Sequence, residues 1–347
     1  LSKEKHILVL RLSAMGDVAM SVPVLGRLLQ QYPEVRLSVV TKSFFAPIFN
    51  QLPHTQVIAA KVKQEHKGIL GLRRLAKQLK ELKPYAVADL HQVLRTQIID
   101  FFLKTYGIKV ARIDKGRAEK KKLIQHQKKQ IKPLKTTHQR YADVFADLGF
   151  PIDLNTDLPV IKPSLSAAAQ EYFSESDKKV IGVAPFAAHE AKMYPIHLMR
   201  ELLLKIAKTN RFSVLLFGGG KKEIEQLDQW EKEIPNTINL AGKQVFSEEL
   251  AIIAHLDAML AMDSGNGHLA ALYEVPVITL WGATHPFAGF APFKQTEQLQ
   301  FTPSLEKYPL LPTSIYGNKI LPGYEQVMHD IDQNQLIKTL LQVVKLN

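Results

Sequence analysis

The chain has 347 residues, 46% of them hydrophobic, and carries a formal net charge of +12. That length suits two domains rather than one core. The absence of cysteine excludes disulfides, thiolate metal sites and cysteine nucleophiles. No apolar run is long enough to span a bilayer, and Leu1 to Leu10 lacks the long apolar core of a signal peptide, so a cytoplasmic protein is expected.

Apolar strand-like runs alternate with helical patterns along the whole chain, the signature of parallel βαβ units. In the first half the expected strands are 7–12, 35–40, 57–60, 85–90 and 109–113. Between the third and fourth, Leu72, Leu75, Leu79 and Leu82 recur at spacings of three and four, which predicts an amphipathic helix. The stretch 158–164, with two prolines, reads as a linker between domains. A second series follows, with strands at 180–184, 213–217, 237–240, 256–262 and 275–280, and a final helix over about 333–345. Charge is uneven. Between Lys115 and Lys135 nine Lys or Arg face one acid, Glu119, a local net of +8. Such a block attracts nucleic acid, an anionic membrane or a phosphorylated substrate, or is only a solvated loop; with no interleaved aromatics, single-stranded nucleic acid is disfavoured.

Ligands of open α/β sheets bind beyond the carboxyl ends of the strands, so the loops there carry the candidate chemistry. The first strand runs into Arg11-Leu12-Ser13-Ala14-Met15-Gly16-Asp17. Gly16 permits a tight turn, and Asp17 is either a helix cap or, if the two domains face a cleft, a general base with Ser13 and Gly16 lining it. Lys192, in the loop after the strand at 180–184, is either a solvent-exposed lysine or a point charge for a diphosphate. The run Phe217-Gly218-Gly219-Gly220-Lys221-Lys222-Glu223 lets a nucleotide approach backbone at Gly218, with Glu223 as an acceptor for ribose hydroxyls; the alternative is a turn with a first-turn acid. Asp263-Ser264-Gly265-Asn266-Gly267-His268 joins a buried strand to a helix, where unpaired N–H groups and the helix dipole suit a diphosphate, unless Asp263 merely caps the helix. Thr284 lies in Gly282-Ala283-Thr284-His285-Pro286, a phosphate-contacting loop or a Pro-terminated one. Asp330-Ile331-Asp332 matches a metal-binding D-x-D pattern, but its position before the last helix makes Asp332 a cap. Neither this pair nor His189-Glu190, which lacks a second histidine at Met193, implies a metal.

Taken jointly, these segments resemble glycosyltransferase family 9, the bacterial heptosyltransferases of lipopolysaccharide core synthesis, over most of the chain. Ser13 to Asp17 with Pro23 resembles the family opening. Asp89-Leu90-His91-Gln92-Val93-Leu94-Arg95-Thr96 resembles D-L-Q-G-x-x-R-S, departing at His91 and Gln92. Lys192 to Pro195 resembles K-x-W-P with Tyr194 for Trp, and Asp263 to His268 matches D-[ST]-G-x-x-H. Gly282 to Pro286 resembles G-P-T-D-P, departing at Ala283 and His285.

The resemblance implies a GT-B architecture: an acceptor-binding Rossmann-like domain at 1–160, a nucleotide-sugar domain at 161–330, and a C-terminal helix at 331–347 packing back on the first domain. It implies inverting, metal-independent transfer with no cofactor beyond the nucleotide-diphosphate sugar, ADP-heptose being the usual donor. Asp17 would be the base. Ser13, Gly16, Lys192, Gly218, Glu223, Asp263, Ser264, Gly265, His268 and Thr284 would form the donor site. Arg95, Arg140 and the basic block would face an anionic glycolipid acceptor, and Lys120–Lys122 with Lys128–Lys129 would hold the enzyme at the inner face of the inner membrane. The alternatives are another nucleotide sugar used for a surface polysaccharide precursor, or a non-catalytic protein that binds nucleotide sugar or polyanion. Nucleic acid is not an expected partner.

Overall fold

The computed structural model describes residues 4–125, 129, 131–175 and 177–345. The chain divides into two compact units, one of residues 1–115 and 135–161 and the other of residues 116–134 and 162–347.

The first unit is built on five parallel strands, β1 (Lys5–Leu10), β2 (Val35–Thr41), β3 (Thr55–Ala59), β4 (Ala86–Asp89) and β5 (Lys109–Arg112), in the order β3-β2-β1-β4-β5. Ile7 to Leu10 are wholly buried, as a central parallel strand covered on both faces requires. The helices are α1 (Met15–Ala19), α2 (Val22–Gln31), α3 (Gly68–Glu81), α4 (Leu94–Thr105) and, after an excursion into the second unit that carries α5 (Arg117–Leu123), α6 (Thr137–Asp147). Leu72, Leu75 and Leu79 of α3 enter the core with Leu8, Leu10, Ile99 and Leu103, as their spacing predicts. Leu82 departs from that pattern: it caps the helix end and is exposed.

The second unit has six parallel strands, β6 (Lys179–Ala184), β7 (Phe212–Leu216), β8 (Thr237–Asn239), β9 (Ala258–Met262), β10 (Val277–Leu280) and β11 (Gln300–Phe301), in the order β11-β10-β9-β6-β7-β8. Its remaining helices are α7 (Ala167–Gln170), α8 (Ile196–Lys208), α9 (Lys221–Glu233), α10 (Phe246–His255), α11 (Gly265–Ala271) and α12 (Gln333–Val343). All ten expected strands form. Two-residue β11 was not expected, being too short to leave a periodic signal.

Two of the expected boundaries need correction. The linker does part the units at Ile161/Lys162, but the basic segment 116–134 belongs to the second unit. Leu123 packs with Ala288 and Ile315, and the Leu134 N–H donates to the Phe287 carbonyl at 2.9 Å. The last helix also departs from the expected packing on the first domain. Leu336, Leu340 and Val344 close the core of the second unit, and the Gln333 amide donates to the Leu198 carbonyl at 3.0 Å and the Tyr194 hydroxyl at 3.3 Å. Asp332 caps this helix, its Oδ1 accepting from the Asn334 N–H at 2.8 Å. Asp330 accepts the Ser304 N–H at 3.0 Å and pairs with the Lys307 ammonium at 2.9 Å. Leu346 and Asn347, expected in the same element, lie outside the described residues.

Candidate functional site

In each unit the carboxyl ends of the strands carry a carboxylate held by a cation. In the first unit β1 delivers Arg11, and the short α1 that follows carries Asp17 in its first turn. The Arg11 guanidinium is buried; Nη1 donates to the Leu90 carbonyl at 2.6 Å, and Nη2 pairs with Asp17 Oδ2. The same Oδ2 accepts the Ala14 N–H at 3.4 Å, and the Asp17 side chain keeps 32% of its surface exposed. From α6, Tyr141 stacks 5.8 Å from the Arg11 guanidinium and donates its hydroxyl to the Asp17 carbonyl at 3.2 Å. Burial raises the Tyr141 phenol well above its ordinary range, so it acts only as a neutral donor. Asp17 is thus more than a cap. Oδ2 is fixed by two donors, while Oδ1 has no hydrogen-bond partner among the described residues.

The loop after β4 completes this end of the sheet. Buried Asp89 accepts the N–H groups of His91 at 2.8 Å and Gln92 at 2.9 Å through Oδ1, an Asx turn that fixes the loop. Gln92 stands in the left-handed region, with φ at 45°, at the position where the family pattern has glycine. His91 Nδ1 accepts the Leu12 N–H at 3.4 Å, and burial followed by the charges of Arg11 and Lys115 lowers its pKa to about 3. It is therefore a neutral imidazole with the proton on Nε2. Behind it, burial and the Asp89 charge push Asp100 up to about 7, although Arg112 donates to it at 2.7 Å.

In the second unit three expected donor residues meet. The Lys192 ammonium lies 2.9 Å from Asp263 Oδ2, and the Thr284 hydroxyl donates to the same oxygen at 2.8 Å. All three are largely buried. Lys192 arrives on a single 3-10 turn (Glu190–Lys192) whose Ala191 carbonyl accepts the Ala283 N–H at 2.8 Å, joining the loops after β6 and β10. Its stem lies against Gly317, where φ is +72° and a Cβ would fall 2.2 Å from Lys192 Cγ. Ser264 and Gly265 begin the connection from β9 into α11; the Ser264 Oγ is buried with no hydrogen-bond partner among the described residues. His268 is buried one turn on. After β7, Glu223 Oε2 accepts the Gly219 N–H at 2.8 Å, and a Cβ at Gly218 would stand 3.2 Å from that oxygen.

Other expected residues fall elsewhere. Ser13 and Gly16, taken with the donor set, lie in the first unit beside Asp17. Arg95 is exposed in the first turn of α4. Arg140 is buried and donates to the carbonyls of Lys135 at 3.2 Å and Asp114 at 3.3 Å, tying together the two ends of the excursion. Within the basic block, Lys120 is buried 4.1 Å from the Phe290 ring centre. Lys129 donates to the carbonyls of Leu310 and Pro312, and burial lowers its pKa to about 8. Neither is available to a membrane, whereas Arg117, Lys121 and Lys122 stay exposed. Lys128 lies outside the described residues. His285 is likewise occupied: Nδ1 accepts the Phe287 N–H at 3.2 Å, and burial lowers its pKa to about 4.

Sequence reasoning passed over Arg11, Tyr141 and Gly317. Arg11 had a signal, a cation directly at the end of an all-apolar strand. Tyr141 and Gly317 had none, because their partners lie 124 and 125 positions away in the chain.

The model of glycosyltransferase family 9 (heptosyltransferase) matches residues 72–309. The lipooligosaccharide heptosyltransferase 2 of Haemophilus influenzae is 29% identical, over 96% of this chain and 98% of that protein. Among solved structures, a family 9 glycosyl transferase from Veillonella parvula superposes with a TM-score of 0.75 at 20% identity, covering 99% of this chain and 98% of that one. An Escherichia coli heptosyltransferase solved with ADP-2-deoxy-2-fluoro heptose gives 0.64 at 18% identity, covering 97% and 99%. The last two likenesses speak to the fold of two Rossmann-like domains in series.

Proposed function

The chain belongs to glycosyltransferase family 9, and from that premise we propose that it transfers heptose from ADP-heptose to an anionic lipopolysaccharide-core acceptor, with inversion and without a metal, at the cytoplasmic face of the inner membrane. The observation that carries the reading is the buried Lys192–Asp263–Thr284 triad in the second unit. The Lys192 ammonium is held at the strand ends by the Asp263 carboxylate, where it can meet the diphosphate. The unpartnered Ser264 Oγ and the close backbone approach at Gly218 fit a ligand there. Glu223 offers its second carboxylate oxygen to ribose hydroxyls, and His268 and the backbone at Gly265 join the sugar-diphosphate contacts.

Chemistry follows from these residue types. An acceptor hydroxyl is a weak nucleophile until its proton leaves. Asp17 Oδ1 takes that proton as the oxygen attacks the anomeric carbon, while Oδ2 stays fixed by Arg11 and Ala14. The bond from the anomeric carbon to the diphosphate oxygen breaks, and ADP leaves with the electron pair. Lys192 meets the charge gathering on that oxygen, which is where a positioned cation lowers the barrier. Arg95 and Ser13 contribute to acceptor and sugar contacts on the first unit, with Gly16 allowing close approach.

The test is a panel of nucleotide sugars in thermal shift, followed by transfer to a heptose-deficient core acceptor read by mass. ADP-heptose should raise the melting temperature most, and transfer should persist in EDTA. Preferential stabilisation by a uridine or guanosine nucleotide sugar, or loss of transfer in EDTA, would overturn the donor or the metal-free mechanism respectively.

A further inference from the structure

Of the large apolar side chains exposed on the first unit, four are Leu70 (76% exposed), Leu94 (73%), Ile69 (64%) and Phe44 (58%). A single exposed Leu or Phe is ordinary. These four, however, occupy three successive connections, after β2, β3 and β4, and in a parallel sheet all three emerge at the same edge. Phe44 opens the 3-10 segment after β2, Ile69 and Leu70 open α3 after β3, and Leu94 opens α4 after β4. Helices α3 and α4 are neighbours: the Arg73 guanidinium of one lies 6.0 Å from the Phe102 ring centre of the other. In the order β3-β2-β1-β4, strand β1 runs between β2 and β4, so the loop with Asp17 is flanked by these residues. At about 4.8 Å per strand, the edge from β3 to β4 spans only about 15 Å.

Charge on this edge is mainly positive. From Lys61 to Arg74, the loop after β3 and the first turns of α3, there are five Lys or Arg (61, 63, 67, 73, 74) against Glu65, and Lys42 follows β2 directly. Lys63, Lys67, Arg73 and Arg74 are exposed, while Glu65 is already engaged by Lys61 at 3.1 Å. Apolar residues ringed by cations suit an interface that is apolar in depth and anionic at its surface. A groove for an acidic protein would not require four large apolar side chains to stand open on separate loops.

We propose that this edge docks the enzyme on an anionic bilayer surface, with Phe44, Ile69, Leu70 and Leu94 entering the headgroup region and the surrounding lysines and arginines meeting lipid phosphates. The proposal rests on the reading of a membrane-borne acceptor, and it moves membrane contact away from the 115–135 block, two of whose lysines are committed to the second unit. Docked in this way, the edge presents the Asp17 loop to a headgroup substrate without drawing the lipid from the bilayer.

The test pairs vesicle cosedimentation with activity on two acceptors, one embedded in vesicles and one stripped of its acyl chains. Wild type should bind vesicles of phosphatidylcholine with about 30% phosphatidylglycerol and bind pure phosphatidylcholine at least fivefold less. The Ile69→Ser/Leu70→Ser variant should lose vesicle binding about tenfold and transfer to the embedded acceptor in proportion. Its melting temperature and its kcat/KM on the stripped acceptor should not move. Undiminished vesicle binding by this variant, or binding by wild type that ignores anionic lipid, overturns the proposal. So does self-association that the same substitutions abolish in the absence of vesicle binding, which would make the edge a protein interface. Loss of transfer to both acceptors by wild type, with vesicle binding intact, would instead remove the glycosyltransferase reading and leave the docking surface standing.

Discussion

The two strand-end carboxylates, Asp17 and Asp263, look alike in sequence and differ in structure. Each follows a buried strand, Asp17 in the first turn of a short helix and Asp263 just before one, and each is paired with a cation. Asp17 is a third exposed, with one oxygen fixed and the other open. Asp263 is nearly sealed, its Oδ2 shared by the Lys192 ammonium and the Thr284 hydroxyl. The cation is reversed as well. Arg11 is the buried member that orients an open acid, whereas Asp263 is the buried member that orients a lysine. A carboxylate at a strand end is thus either the reagent or the support of one, and its solvent access and partners decide which.

The contrast breaks most sharply at Asp17. Asp17→Asn keeps the shape and removes the base, so kcat should fall by about 10³, within the usual range for a general base, while the dissociation constant for ADP stays unchanged. Wild-type turnover in that variant would place the base elsewhere. Lys192→Ala should act on both quantities, weakening ADP binding and lowering kcat/KM by about 10² or more, because it removes a charge felt by ground state and transition state alike. A purely structural lysine would leave ADP affinity untouched in isothermal titration.

Supporting residues should show smaller effects of a different kind. Thr284→Val replaces the hydroxyl by a methyl of similar size and leaves Asp263 with one partner. An order-of-magnitude loss in kcat/KM is expected, with a Tm drop from one lost hydrogen bond of about 1 kcal/mol. Gly317→Ala forces a Cβ into the Lys192 stem at a backbone angle that disfavours it, so Tm and ADP affinity should fall together. If affinity held while Tm fell, the packing of Gly317 would have no bearing on the lysine.

The same contrast shows how far the chain could be read from its residues. The central strands β1, β6, β9 and β10 announce themselves as apolar runs because they are covered on both faces, whereas the edge strands β3, β5 and β8 are only partly buried and are read from their place in the alternation with helices. The Lys192, Asp263 and Thr284 positions stand out in the sequence because each lies in the loop after such a run, where parallel sheets gather their ligand-binding loops. Illegible were the features that depend on residues remote in sequence. Arg140 reads as an anion-binding residue, and its guanidinium is also buried and hydrogen-bonded to the carbonyls of Lys135 and Asp114, contacts that spacing does not announce. Lys120 and Lys129 read as part of a free basic block but are drawn into the second unit by an aromatic ring and by backbone acceptors. The last helix has an amphipathic pattern that states it will be buried, not against which core.

The smallest expected effect tests the departure at Gln92. At φ 45° a side chain pays roughly 1–2 kcal/mol for the left-handed region. Glycine there avoids that cost but gives back about 0.5–1 kcal/mol of backbone entropy. Gln92→Gly should therefore stabilise the protein by about 0.5–1 kcal/mol, a rise of a few degrees or less in Tm. The N–H that Asp89 Oδ1 accepts belongs to the backbone of residue 92 and survives the change, so the loop should keep its form. Activity then separates two roles for the glutamine. If kcat/KM is unchanged, Gln92 is only tolerated where glycine fits better. If the variant is more stable and yet slower, the strain is retained because the amide side chain reaches substrate beside His91, whose neutral ring, with a pKa near 3, adds no acidic limb of its own to the pH–rate profile above pH 5.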